Sequence, residues 1–287
     1  MGSLPSPPQP AIQLPSPQSP ASSYQVYAAF CQRQQGPNTY ICNRIECYNP
    51  SNNTWSYATS IPGITDNHFL KGFAMVSLGD YVFIIGGQSN MTFARCVAST
   101  EVYDPLLDIW TRWLTWRYGD PMDASPGAFG WERSSAEVYD MQARKWGLVV
   151  GMWQLDVPPN QIVTVDGKLF SCGDCLNAWK GHIEVYDGGI WNEVEGSPQA
   201  LRGSPDSTSE ANHEGWQTNQ RLYLTMAPIG TCLYLLAGCR RAGDSSRTMS
   251  KAHIFDMSAE TDAWRSLEPM EEEGLKEFCS HCCVVQL

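Results

Sequence analysis

The residues from Phe73 to Trp110 constrain the fold of this chain more than any other stretch, because they hold one whole copy of a unit that recurs in poorer form elsewhere. Two apolar runs, Phe73-Ala74-Met75-Val76-Ser77-Leu78 and Tyr81-Val82-Phe83-Ile84-Ile85, are joined at Gly79-Asp80 and closed by Gly86-Gly87. Each run has the length and composition of a strand, and a two-residue joint containing glycine sets up a tight hairpin. Neither run alternates cleanly with polar residues, which predicts a hairpin covered on both faces. A polar connection then leads to Ser99-Thr100-Glu101-Val102-Tyr103-Asp104-Pro105 and Asp108-Ile109-Trp110-Thr111, a second and more polar hairpin. The result is four antiparallel strands from roughly 50 residues, with the apolar pair first.

Paired glycine after an apolar strand, then Tyr-Asp, then Trp seven residues beyond the Tyr, resembles the Kelch repeat, one blade of a β-propeller. The residues of such a unit have physical reasons. A blade cannot bury both sheet faces alone, so it packs between two neighbours; Gly86 and Gly87 let backbones crowd where a Cβ would collide, and the rings of Tyr103 and Trp110 fill the wedge between blades.

In chain order, Met1 to Ser23 reads as a disordered proline-rich tail, since seven of the first twenty residues are proline and cannot build a ladder of backbone hydrogen bonds. Order is expected from Tyr24 to Leu287. Tyr24 to Cys31, Cys42 to Pro50 and Asn53 to Ala58 read as strands two, three and four of a blade, with Tyr48 and Trp55 repeating the seven-residue separation. The missing first strand is expected from Cys279 to Leu287, so that the C-terminal strand closes the ring and removes a free sheet edge. Tyr139 and Trp146 mark another outer hairpin, but residues 113–134 are irregular and offer no apolar strand pair before it. A degenerate blade and a chain shortened from a longer propeller both explain that defect, and shortening is the favoured reading. The next unit runs from Gln161, through a hairpin at Asp166-Gly167, to Tyr186 and Trp191, and keeps a single glycine, Gly173. Residues 195–220 read as a long polar loop. The last unit has Ala237-Gly238 in place of the glycine pair, Phe255 in place of Tyr, and Trp264. The expected fold is therefore all-β, a Kelch-type β-propeller of about five blades, one incomplete, closed by the C-terminal strand.

Composition limits function. A net charge of −11 and a pI near 4.9 argue against general nucleic-acid binding or an anionic membrane surface. The N-terminus has neither the basic start nor the apolar core of a secretory signal, which points to the cytoplasm or nucleus and to reduced thiols among the eleven cysteines. Two Cys-x-x-Cys pairs, Cys172 with Cys175 and Cys279 with Cys282, lie more than a hundred residues apart and in or beside strands, which fits buried core thiols better than zinc ligands. No cofactor and no metal is expected. Kelch-like propellers include copper oxidases, but the five histidines here are scattered singly. Propellers that use iron on glucosinolate products carry Glu-x-x-x-Asp-x-x-x-His, and no Glu of this chain is followed four residues later by Asp.

What remains is a surface. The resemblance implies a protein-interaction scaffold, with plant F-box/Kelch proteins nearest in texture and substrate recognition in ubiquitination as a role. The loops between strands two and three share a propeller face with those that lead to the next blade. They carry Arg33, Arg95, Lys180, Arg240, Arg241, Arg247 and Lys251, a basic set suited to an acidic protein or peptide. Against it stand Asp206, Glu210, Glu214 and the run Glu271-Glu272-Glu273 on the same face. Solvated loop charges are the plainer reading of both sets. The alternatives to a scaffold are an enzyme on the same frame and a shortened chain with little function of its own.

Overall fold

The computed structural model describes residues 23–33, 41–62, 64, 68–89, 99–115, 136–140, 142–152, 159–174, 183–196, 220–240, 247–259, 263–279 and 281–287. Every regular element among them is a strand. In chain order, β1 (Tyr24–Arg33), β2 (Ile41–Asn49) and β3 (Thr54–Thr59) form an antiparallel ladder. Then come β4 (Leu70–Lys71), β5 (Ala74–Leu78), β6 (Tyr81–Ile85), β7 (Gln88–Ser89), β8 (Ser99–Asp104) and β9 (Ile109–Thr115). The order β5-β6-β8-β9 makes blade II, with β4 paired to β7. A hairpin of β10 (Ala136–Asp140) and β11 (Lys145–Val149) follows. Blade III is β12 (Pro159–Val165), β13 (Lys168–Asp174), β14 (Ile183–Tyr186) and β15 (Trp191–Glu193). Blade IV is β16 (Gln220–Ile229), β17 (Cys232–Arg240), β18 (Arg247–Asp256) and β19 (Trp264–Ser266), with β20 (Met270–Glu273) added to β18.

The chain then returns to its start. β21 (Leu275–Phe278) and β22 (Cys283–Gln286) both pair antiparallel with β1 and complete blade I as its inner strand. Between them Cys279 still donates its N–H to the Ala29 carbonyl, and Ser23 and Leu287 exchange two backbone bonds at the very ends of the pairing. The closure expected from Cys279 onward therefore begins earlier, at Leu275. The described residues form four blades of four strands, against the five or so units expected. Of the unit expected to be incomplete, the described residues form the outer hairpin alone. Apart from Ser23, the expected N-terminal tail lies outside the described residues, as do residues 116–134 of the irregular stretch and 197–219 of the long loop.

Inner strands pack in series, β12 on β16, β16 on β21 and β22, and β22 on β5. The core lies between blades rather than within one. Tyr27, Ile45, Met75, Val82, Ile84 and Val285 fill the seam between blades I and II. Phe30, Tyr48, Tyr223 and Leu236 fill that between IV and I, and Phe170, Ile183, Met226 and Leu235 that between III and IV. Buried amides stitch these seams by occupying backbone groups of the neighbouring blade. Asn43 accepts from the Leu70 N–H at 2.6 Å and donates to its carbonyl at 2.9 Å; Gln161 does the same to Met226, at 2.8 and 2.9 Å. Each satisfies two polar groups that burial would otherwise strand.

The recurring motif has three jobs. The residue after the Tyr or Phe is Asn49, Asp104, Asp140, Asp187 or Asp256, and its Oδ1 accepts backbone N–H groups of the turn that follows. This Asx turn fixes the outer hairpin, and in Asp187 and Asp256 the same bonds hold the carboxyl below its usual range, in Asp256 with the Ser258 hydroxyl foremost. The aromatic pair stacks across the two strands: Tyr48 with Trp55, Tyr103 with Trp110, Tyr186 with Trp191 and Phe255 with Trp264, at ring centroid distances of 4.9 to 5.3 Å. Tyr139 and Trp146 stand opposite each other in the same register. Finally, the indole N–H reaches back to the preceding unit: Trp110 to Thr59 Oγ1, Trp191 to the Met152 carbonyl and Trp264 to the Glu195 carbonyl. The lone hairpin is thus clasped by blade III in the same way as a complete blade.

Glycine is required where the seams are tightest. Gly87 has φ 102°, and a Cβ there would lie 3.0 Å from both Leu70 Cγ and Phe73 Cβ. Gly86 also has positive φ and donates its N–H to Ser99. At Gly238 a Cβ would stand 1.9 Å from Cε1 of Tyr223, a ring buried between Phe30 and Phe278 whose hydroxyl is hydrogen-bonded to Ser250. Gly173 lies within β13. Gly238→Ala is expected to lower stability by about 3 kcal/mol, through displacement of Tyr223, measured by chemical denaturation with tyrosine and tryptophan fluorescence.

Candidate interaction surface

The hairpin joints on one rim of the ring are two residues long: Gly79-Asp80, Asp166-Gly167 and Gly230-Thr231. Their positive φ at Gly79, Asp166, Gly167 and Gly230 fits the tight turns that such short joints demand. The opposite rim carries the longer connections between second and third strands, residues 34–40, 86–98, 175–182 and 241–246, together with those leading from one blade to the next. The first rim also carries the turns between third and fourth strands, four residues long at 50–53, 105–108, 141–144 and 187–190 and seven at 257–263, so the opposite rim has the greater length of chain to shape a recognition surface.

The seven basic residues do not form one cluster among the described residues. Arg33 ends β1, in register with Leu275 and Ile41. Arg240 ends β17, Arg247 begins β18, and Lys251 sits inside β18 opposite Ala237, half-buried. Arg95, Lys180 and Arg241 lie outside the described residues, as do Asp206, Glu210 and Glu214. The run Glu271-Glu272-Glu273, read from sequence as loop charge, lies wholly in β20, where Arg247 pairs with Glu273, Thr248 with Glu272 and Met249 with Glu271 in register. Arg247 Nη1 donates to Glu271 Oε2 at 3.0 Å, with both side chains more than half exposed. Charges set against each other in the sequence are therefore partners in the structure, and an exposed pair of this kind contributes little stability.

Glu272 has a different fate, one that sequence reasoning missed. Lys276 of β21 is buried and donates to both Glu46 of β2 and Glu272, while Ser250 donates to the second oxygen of Glu272. The Lys276 ammonium also lies 5.5 Å from the centre of the Phe30 ring and 6.0 Å from that of Trp55. One buried cation thus ties the closing strand, the first blade and the added strand of blade IV together. Burial pushes the Glu46 carboxyl up, and Lys276 pulls it back in part. The signal was present as a lysine four residues beyond Glu272, but a charged run carries no mark of burial.

At the centre, β5, β12, β16 and β22 border a cavity of about 1080 Å³. Among the described residues its wall includes Val76, Ile162, Met226 and Pro228 with the polar Gln161 and His281, and no Asp, Glu, Lys or Arg. Burial lowers the His281 pKa, so the ring is neutral at pH 7. Cys282, in the same wall, is pushed up to about 11 by burial and donates to the Met226 carbonyl at 3.2 Å, so it is a thiol. Cys172 and Cys279 are also buried and not in disulfides, and Cys172, Cys279 and Cys282 belong to three different core clusters. Cys175 lies outside the described residues. Among the described residues no three His, Cys, Asp or Glu side chains converge on one point.

Removing Lys276 leaves two carboxylates facing each other in a buried site, so Lys276→Met is expected to cost about 3–5 kcal/mol. Because the Glu46 carboxyl titrates above its free value in the fold, the protein loses stability as pH rises from the ordinary carboxylate range through the folded value. Glu46→Gln is expected to flatten the stability curve in that window, measured by denaturant titration from pH 4 to pH 7.

Compared with known proteins, the chain matches the Kelch motif over residues 70–112. Among solved structures it is similar to one described as "Structure of YjhT", at 14% identity and a TM-score of 0.21, with 78% of this chain and 51% of that chain covered. The chain thus spans about half the length of that protein, and at this TM-score the likeness carries no argument. No curated protein matches the chain. The match covers blade II from β4 into β9, the unit with both glycines, the Tyr-Asp turn and the clasping Trp. This chain carries a Kelch motif within a β-propeller arrangement of blades.

Proposed function

We propose that the chain is a protein-interaction scaffold that holds a partner protein or peptide on the rim of long connections. The observation that carries this reading is the asymmetry of the two rims. Two-residue joints and mostly four-residue turns on one side leave little chain for recognition, whereas the other side gathers several segments of six residues or more, such as 34–40, 175–182 and 241–246. A rigid frame with variable loops grouped at one end is how many folds present binding residues. Kelch propellers commonly serve as such scaffolds.

Within this reading, Arg240 and Lys251, with the loop residues Arg95, Lys180 and Arg241, give the rim its preference for an acidic partner. Arg247 contributes less, since Glu271 already neutralises it. Substrate recognition for a ubiquitin ligase is the finer role that the resemblance implies, and co-purification with ligase subunits is its test. Cross-linking of the captured complex through lysine distinguishes the rims. Lys71 and Lys180 belong to the long connections, Lys145 and Lys168 to the short turns. Partner cross-links at Lys71 and Lys180 are expected; cross-links confined to Lys145 and Lys168 would sink the proposal.

A further inference from the structure

Cys279 has a sulfur neighbour that its spacing in the chain does not reveal. β1 lies between β2 on one side and β21 and β22 on the other, and its Tyr27, Ala29 and Cys31 share the face turned to blade II. Asn43 of β2 stands opposite Cys31. On the other side Cys279 follows directly on β21 and bonds through its N–H to the Ala29 carbonyl. Cys31 and Cys279 are thus diagonal neighbours on one face, each 4% exposed. Cys282, the partner that the Cys-x-x-Cys spacing suggests for Cys279, is turned into the seam on the opposite face of blade I.

One amide marks how near the two sulfurs are. Asn43 Nδ2 lies 3.3 Å from Cys279 Sγ and 3.7 Å from Cys31 Sγ, while the same side chain holds the backbone of Leu70. The Cys279 thiol donates a hydrogen bond to the Cys31 sulfur. Glu277, opposite Cys31 in register, accepts from Lys71 Nζ at 3.0 Å, and these two side chains are 55% and 43% exposed. The thiol pair therefore lies within a side chain's depth of solvent, beside a cation.

Its two members are unequal. The hydrogen bond from Cys279 and the Lys71 ammonium hold the Cys31 thiol below its ordinary value, against the opposing effects of burial and Glu277. Burial and the Cys31 sulfur push Cys279 up. A thiol inclined to ionise, in contact with one that keeps its proton, supplies an attacking and a resolving sulfur.

We propose that Cys31 and Cys279 form an oxidation site, a thiol pair that hydrogen peroxide converts into a disulfide. The Cys31 thiolate attacks one peroxide oxygen; an S–O bond forms, the O–O bond breaks, and the hydroxide released takes up the proton that Cys31 gave up and leaves as water. The Cys279 sulfur then attacks the Cys31 sulfur; the S–S bond forms, the S–O bond breaks, and the second hydroxide leaves as water with the Cys279 proton. Two thiols lose two electrons and two protons, and peroxide is reduced to two waters. The product joins β1 covalently to the segment that closes blade I, at the base of the 34–40 connection. A cross-link between residues so far apart in the chain removes much of the freedom of the unfolded state.

The full chain is treated with a small excess of hydrogen peroxide, its remaining thiols are alkylated, and it is digested without reduction for peptide mass analysis. A Cys31–Cys279 linked peptide that dithiothreitol abolishes is expected, in about tenfold or greater yield from the folded chain than from chain unfolded in guanidinium. The oxidised chain is expected to unfold at a higher guanidinium concentration than the reduced chain. Dimedone reads the order of attack: an adduct at Cys31 is expected in Cys279→Ser, and none at Cys279 in Cys31→Ser. The parent chain decides the matter even if a variant does not fold. Absence of the linked peptide, equal yield from unfolded chain, or a dominant link from Cys31 to Cys47 or Cys283 of the same seam would overturn the proposal. An adduct at Cys279 but not at Cys31 would overturn it as well.

Discussion

The pairing of β21 and β22 with β1 is the constraint on which the rest of the structure depends. A propeller sheet is stable only between neighbours, and β1, the second strand of its blade, has no inner neighbour until β21 and β22 come back to it. The return does more than fill an edge. It brings Val285 and Cys283 into the seam toward blade II, Cys282 and Phe278 into the seam toward blade IV, and Lys276 between the carboxylates of Glu46 and Glu272. Three contacts of different kinds thus meet on thirteen residues. Non-directional apolar burial supplies most of the stabilisation there, while the buried ammonium and its acceptors fix the register.

What was legible in the sequence was the local chemistry. Turns at Gly79-Asp80 and Asp166-Gly167, strands bounded by them, and the Tyr-to-Trp spacing all depend on residues within a few positions of one another, and such signals survive in a linear reading. The return of the C-terminal strand to blade I was legible for another reason: an unpaired three-stranded blade and an apolar strand need each other. The role of the Asp or Asn after the aromatic residue was recognisable as a motif but not as a turn acceptor, although the side chain is right for it. The stitches made by Asn43 and Gln161 gave no sign, because an amide that grips the backbone of a neighbouring blade looks like any polar residue in a strand. Charge misled most. Arg247, Glu271 and Glu272 were read as competing loop residues, yet β20 draws them into a sheet, where one pair neutralises at the surface and the third charge is buried.

The same distinction separates the loop rim from the thiol pair. The loop rim is a matter of length and composition, visible in any chain with two-residue joints on one side only. The contact of Cys31 with Cys279 emerges only from register, since spacing in the chain pairs Cys279 with Cys282 and the fold turns those two into different seams.

The backward reach of the indoles carries a consequence for assembly. Trp110, Trp191 and Trp264 each bond to a group in the unit made before them, so every new unit finds its acceptor already in place as the chain lengthens. Blade I alone runs the other way. Its Asn53 donates to the Glu268 carbonyl, and its inner strand, β21 and β22, follows all the other blades in the chain. The strands β1 to β3 are therefore satisfied only after blades II, III and IV have been made, and Phe30 and Tyr48 wait, uncovered, through that time.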